Sequence, residues 1–220
     1  MENITWFGHA SFSFKDMNGN LIYYVDPFSL RPDLNLPKGD LVFITHAHSD
    51  HFSPVDLAKI IKDETVIIAP PDILAKIDRN EALKQAVEPN KTYEIKNFHF
   101  QTIPAYNTSP AKLDFHPKAN NWVGYIFELN GKKIYHAGDT DFIPEMELLK
   151  DLNLDVAILP IGGKFTMEAE EAAEAANAIA AKITIPMHYK RLNPQNYQEI
   201  EEKFKSLVTN SKVVILEELK

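Results

Sequence analysis

Three histidines and an aspartate fall within six consecutive positions, His46, His48, Asp50 and His51, directly after the run Leu41-Val42-Phe43-Ile44-Thr45. The chain holds only 8 histidines in all, so this density at the end of a buried strand constrains the fold more than any other feature. In an extended segment, side chains two apart share a face. His46 and His48 can therefore hold one ion together while Asp50 and His51 turn toward a second. A solvated loop whose histidines cap a helix starting near Pro54 is the plainer alternative. Metal ligation is the commoner reason for such clustering.

The chain has no cysteine. Disulfides, catalytic thiols and thiolate metal sites are excluded. Imidazole and carboxylate donors suit zinc first, with manganese and iron compatible. A net charge of -8 argues against nucleic acid held on a basic surface. It leaves room for a small, anionic substrate, because bound divalent cations reverse the sign of a pocket locally. The 220 residues, 45% hydrophobic and 25% charged, suit one α/β domain spanning 1–220. No run approaches the ~20 apolar residues of a membrane span. The segment Met1–Trp6 lacks the basic and apolar regions of a secretory leader. The expectation is a cytoplasmic protein that does not engage membranes.

Along the chain, Ile4–Trp6, Phe12–Phe14 and Leu21–Val25 read as strands, with a hairpin turn at Asn18-Gly19. Leu41–Thr45 and Thr65–Ala69 read as buried strands. Val55–Ile61 has helical spacing after Pro54, and Pro70-Pro71 opens a short helical stretch. Phe98–Ile103 alternates, and Trp122–Leu129 joins Lys132–His136 through Asn130-Gly131. Val156–Leu159, Ile183–Ile185 and Lys212–Leu216 read as strands, separated by helices over Met167–Ala181 and Asn196–Leu207. Each half moves from antiparallel strands to strands alternating with helices. Two mixed sheets with helices outside, an α/β fold arranged as an αββα four-layer sandwich, satisfy that pattern.

Two later positions extend the donor set. Asp139, in Ala137-Gly138-Asp139-Thr140, follows a strand and a glycine that permits close backbone approach. Its carboxylate can bridge two cations, or serve as a turn or cap residue. His188, in Pro186-Met187-His188-Tyr189, lies just past another buried strand and beside such a cluster becomes a ligand candidate.

Five stretches together resemble the metallo-β-lactamase superfamily. They are Trp6-Phe7-Gly8-His9-Ala10-Ser11, Asp26-Pro27, the His46–His51 motif, Tyr135-His136-Ala137-Gly138-Asp139-Thr140 and Pro186-Met187-His188-Tyr189. The chain looks most like the branch that contains ascorbate-6-phosphate lactonase and the phospholipase D acting on N-acyl phosphatidylethanolamine. The resemblance implies a metal-dependent hydrolase with two divalent ions and a metal-bound hydroxide acting on an ester, lactone, amide or phosphodiester bond. It places His46 and His48 on the first ion and Asp50 and His51 on the second. Asp139 then bridges and His188 closes the second site. Asp50 would position the nucleophile and carry a proton to the leaving group. Asp26 corresponds to a buried aspartate that orients the histidine loop; read alone, it is equally a turn residue.

One departure stands out. The family's third histidine follows a strand as Ala-x-His, and that register here reads Ala105-Tyr106-Asn107. An amide oxygen is a weaker zinc ligand than imidazole. His116, later in the same loop, is the favoured substitute, with Asn107 the alternative. His9 either lines the pocket and bonds a ligand carboxylate, or is structural. His136 reads as core or supporting, and His99 as a surface residue. Ile161–Thr166 lacks the spacing of a phosphate-binding loop; its Gly162 and Gly163 suit the rim of a pocket, where Lys164 can meet an anionic substrate.

Redox relatives of this fold carry glutamate at the position of His48 and a flavin domain. Nucleases of the fold add a large insertion and basic charge. Neither matches this chain. A non-catalytic metal-binding protein of the same fold is the remaining alternative, and the presence of Asp50 weighs against it.

Overall fold

The computed structural model describes residues 3–19 and 21–219. Met1 and Glu2, part of the segment read as lacking a leader, lie outside them. Among the described residues no helix is long and apolar enough to cross a membrane. The chain divides into two compact units, Met1–Val87 with Glu217–Lys220, and Glu88–Leu216.

The first unit is a six-stranded sheet in strict chain order. Strands β1 (Ile4–Gly8), β2 (Ser11–Lys15) and β3 (Ile22–Val25) run antiparallel. Strands β4 (Leu41–Phe43), β5 (Val66–Ala69) and β6 (Lys84–Ala86) continue parallel to β3. Helices α1 (Pro54–Ile60) and α2 (Pro71–Leu74) fill the parallel crossovers. Every residue of β4 and β5 is buried, as parallel strands covered on both faces require. Val42, Ile44, Ile67 and Ala69 pack with Leu57 and Ile60 of α1 and Ile73 and Leu74 of α2 in one apolar cluster. At the other end of the chain, Leu219 donates its N–H to the Trp6 carbonyl at 2.8 Å and so covers part of the β1 edge.

The second unit repeats the plan with seven strands. Strands β7 (Thr92–Ile95), β8 (Phe98–Pro104), β9 (Val123–Leu129) and β10 (Lys132–His136) are antiparallel. Strands β11 (Val156–Pro160), β12 (Ile183–Met187) and β13 (Lys212–Val213) lie parallel to β10. Asn130 and Gly131 both take positive φ, 56° and 69°, and close the β9–β10 hairpin in two residues, the geometry such a turn demands. Helices α3 (Ala169–Ile179) and α4 (Tyr197–Leu207) connect the parallel strands, and a 3₁₀ segment, Pro144–Leu152, follows β10. The closing strand is shorter than expected, ending at Val213, although Val214 still bonds the Thr184 carbonyl at 2.9 Å.

Helix α1 shows how the sequence sets the exit from the histidine loop. Ser53 caps it by accepting the Asp56 N–H at 3.2 Å, and Pro54 occupies the first turn, where no amide is needed. The Asp56 carboxylate accepts from Ser29 N–H at 2.8 Å and Leu30 N–H at 3.0 Å, and pairs with Lys59 at 2.8 Å. Burial alone would raise the Asp56 carboxyl; Lys59, Ser53 and the Ser29 amide outweigh it and hold the group below the usual carboxylate range. Stability linked to a depressed carboxyl is present above its unfolded pKa and is lost as pH falls through the folded value. Asp56→Asn should cost about 1–3 kcal/mol at neutral pH. That deficit should shrink in acid, which urea unfolding across pH 3–7 measures.

Candidate metal centre

The functional side chains follow strand C-termini, where loops leave an α/β sheet and ligands gather. In the first unit, Asp26 follows β3 and the segment His46–His51 follows the neighbouring parallel strand β4. In the second, Asn107, Asp139 and His188 follow β8, β10 and β12, which all point the same way through the antiparallel and parallel pairings.

Within the first unit, Asp26 is the hub. It is fully buried and takes a positive φ of 47°. Its Oδ1 accepts the Thr45 N–H at 2.8 Å, and its Oδ2 accepts the Thr45 hydroxyl at 2.7 Å and the His51 Nδ1–H at 2.8 Å. The Thr45 hydroxyl has one proton and gives it to the carboxylate. It therefore accepts from His46 Nδ1, 3.0 Å away. Both rings thus carry their proton on Nδ1 and present an Nε2 lone pair, the arrangement that ligand histidines need. His48 brings Nδ1 to 3.0 Å from His46 Nε2. Nitrogens this close could both serve one cation.

Asp50 is partly exposed and bonds His9 Nε2 at 2.9 Å. His9 sits in a tight turn between β1 and β2, with φ of 52° after Gly8 at 98°, and Trp6 Nε1 donates to its carbonyl at 3.0 Å. Ligand atoms of His9, Asp50 and His51 all lie within 4.8 Å of one another.

In the second unit, Asp139 Oδ2 lies 3.0 Å from His188 Nε2 and 3.4 Å from His116 Nε2. All three residues are at least 95% buried. His188 has φ of 61°, and its carbonyl lies so near Gly162 that a Cβ there would stand 2.1 Å from it. Asn193 fastens the same corner, its amide donating to the Gly162 and Tyr189 carbonyls. Gly138 N–H bonds His136 Nδ1 at 3.3 Å, which gives His136 a supporting place behind Asp139. His116 donates Nδ1–H to the Asn107 amide oxygen at 2.8 Å. Asn107 is thus bonded to the imidazole that was its rival for the ligand position.

Lys164 follows β11 and takes a positive φ of 50°. It is exposed, its Nζ lies 4.8 Å from the Phe165 ring centre, and it lines a cavity of ≈ 380 Å³ with Glu168, Glu170 and Glu199. His99 is exposed beside Glu94. Two residues that sequence reasoning passed over carry weight here. Thr45 links Asp26 to His46, and Asp141 is a fully buried carboxylate bonded to Asn107. The only signal for Asp141 was its place two positions past Asp139.

The donor chemistry fits divalent cations: several buried imidazoles, with two of the rings held in the ligating tautomer, and carboxylates that carry charge to balance them.

Comparison with known proteins agrees. The model of the beta-lactamase superfamily domain matches residues 3–188. A UPF0173 metal-dependent hydrolase of Pyrococcus furiosus is 36% identical over 98% of this chain and 96% of its own. The crystal structure of a candidate metal-dependent hydrolase from Parabacteroides distasonis has 33% identity and a TM-score of 0.83, covering 99% of this chain and 93% of its own. Igni18, a metallo hydrolase of Ignicoccus hospitalis, has 26% identity and a TM-score of 0.76, covering 99% and 95%. This chain belongs to the metallo-β-lactamase superfamily and, within it, to the UPF0173 metal-dependent hydrolases. It is an enzyme that hydrolyses its substrate with the help of metal.

Replacing Asp26 by Asn would set an amide N–H₂ or a single oxygen against three donors. The expected cost is about 2–4 kcal/mol from buried donors left unmet. Metal retention should fall with it, because His46 and His51 lose their fixed tautomers. Denaturant unfolding with metal analysis of the same samples measures both.

Proposed function

We propose that the chain hydrolyses an ester, lactone or phosphodiester bond of a small, anionic substrate at a binuclear centre. In this reading His46, His48 and His116 hold one ion, Asp50, His51 and His188 hold the other, and Asp139 bridges. The donors suit zinc, with manganese and iron compatible. The observation that carries the reading is the Asp26 hydrogen-bond set, which puts the ring protons of His46 and His51 on Nδ1 and leaves Nε2 of each ring as the lone-pair atom. A buried carboxylate spent on orienting two imidazoles is costly unless the rings have something to bind.

Divalent cations bound there lower the pKa of water enough to supply a nucleophile near neutral pH. The protein's own part is positioning and proton transfer. Asp50 keeps one carboxylate oxygen on His9, which fixes its rotamer. Its partial exposure leaves it able to receive a proton from the attacking water and pass it to the leaving group. The single hydrolase domain of this reading spans 1–220, in keeping with a family match that runs through both compact units. Resemblance to the lactonase and phospholipase branch favours a phosphorylated or phosphodiester substrate. The reading also places the protein in the cytoplasm, working without nucleic acid or membrane.

Protein purified without chelator should contain close to two divalent ions per chain by elemental analysis. A saturating value of one would remove the binuclear assignment. Asp50→Ala should lower turnover by about 100-fold or more on whichever probe reacts, among bis-p-nitrophenyl phosphate, aryl esters and lactones. Its melting temperature should stay near that of the parent. Undiminished turnover in this variant would strip Asp50 of its role.

A further inference from the structure

We infer that Asp141 and Asn107 form a positioning relay that fixes His116 for metal. The inference rests on His116 being a ligand, as proposed above. Asn107 and His116 are joined twice: the Asn107 N–H bonds the His116 carbonyl at 2.9 Å, and the Asn107 amide oxygen accepts His116 Nδ1–H at 2.8 Å. Both side chains are buried, 2% and 1% exposed. The pair closes the loop 108–115 and holds the imidazole by ring and backbone together.

The orientation of the amide follows from its other end. Asn107 Nδ2 lies 2.9 Å from Asp141 Oδ1 and 3.0 Å from the Phe165 carbonyl. Both are acceptors, so the nitrogen must face them and the oxygen must face His116. An amide oxygen cannot donate; the proton shared with His116 is therefore on Nδ1. His116 Nε2, 3.4 Å from Asp139 Oδ2, is then the ligating atom.

Asp141 sets the position of Asn107. Its fully buried carboxylate also accepts the Thr108 and Ser109 amides, at 2.9 and 3.0 Å, and pairs with Lys112 Nζ at 3.4 Å. Lys112 reaches on to the Thr166 carbonyl at 2.7 Å. The relay thus ties the backbone at 165–166 to the His116 ring. It parallels the Asp26–Thr45–His46 series, with an amide where that series uses a hydroxyl. In this chain the residue at the Ala-x-His position orients a histidine supplied nine residues later.

Two measurements test the relay without relying on turnover. Imidazole ¹H–¹⁵N correlation spectra of the zinc-loaded, labelled full chain should show a slowly exchanging proton on His116 Nδ1. In zinc titrations, Asn107→Ala should weaken one ion by about 10–100-fold and leave the other unchanged, the usual size of a lost orienting partner. The double variant Asn107→Asp with Asp141→Asn keeps an acceptor facing His116 and a donor facing residue 107, but sets an oxygen against the Phe165 carbonyl, and should recover only part of that loss. An unprotonated His116 Nδ1 in the parent protein overturns the relay, and this reading needs no variant to fold. So does an Asn107→Ala protein that binds both ions at parental affinity while His116→Ala loses one. If His116→Ala also binds both ions normally, the relay falls together with the ligand assignment beneath it.

Discussion

The fully buried carboxylate of Asp26 accepts three hydrogen bonds, and the histidine loop exists in its present form because of them. Burying an ionised carboxylate is unfavourable unless donors surround it. The loop supplies those donors from Thr45 and His51. In return the loop leaves the β4 strand at a defined residue: Ile44 still pairs with Ile68, but the Thr45 amide turns to Asp26. Charge and loop support each other, so a defect in either reaches His46 and His51 directly.

The second unit solves the same problem with different atoms. Asp141 is again a buried carboxylate satisfied by backbone amides and a side chain, and again it stands behind a residue that bonds a histidine. Both hubs lie just past strand C-termini, where the backbone has left the ladder and its amides are available. A sheet edge thus provides in each unit both the free amides that a carboxylate needs and the place where histidines can project.

Legibility from sequence followed the range of the interactions. Strands such as β4, β5 and β11 are short apolar runs that only a doubly covered sheet explains, and Asn130-Gly131 marks its turn through local φ preferences alone. Strands β6 and β7 escaped notice because Lys84–Ala86 and Thr92–Ile95 are short and half exposed, with no apolar pattern to mark them. Helix α3 ends at a left-handed Ala180 rather than at a glycine, so its boundary carried no local signal. At the candidate site, the density of histidine drew attention to residues 46–51, but the contact between His9 and Asp50 spans 41 positions and only family resemblance hinted at it. Asn107 looked like a missing ligand. Its bond to His116 depends on how the loop 108–115 closes, which no spacing rule describes. Asp141 had no motif at all, and its importance comes from four donors converging in space.

Gly162 has a last consequence. Its backbone is not in the left-handed region, and it bears no chemistry of its own, yet the His188 carbonyl occupies the space of its missing side chain. Any other residue must push that carbonyl away and carry the neighbouring imidazole with it. A saturation-mutagenesis map of this enzyme would therefore score position 162 as intolerant as a ligand. Natural variants there would be sorted by shape alone, with alanine excluded as firmly as arginine.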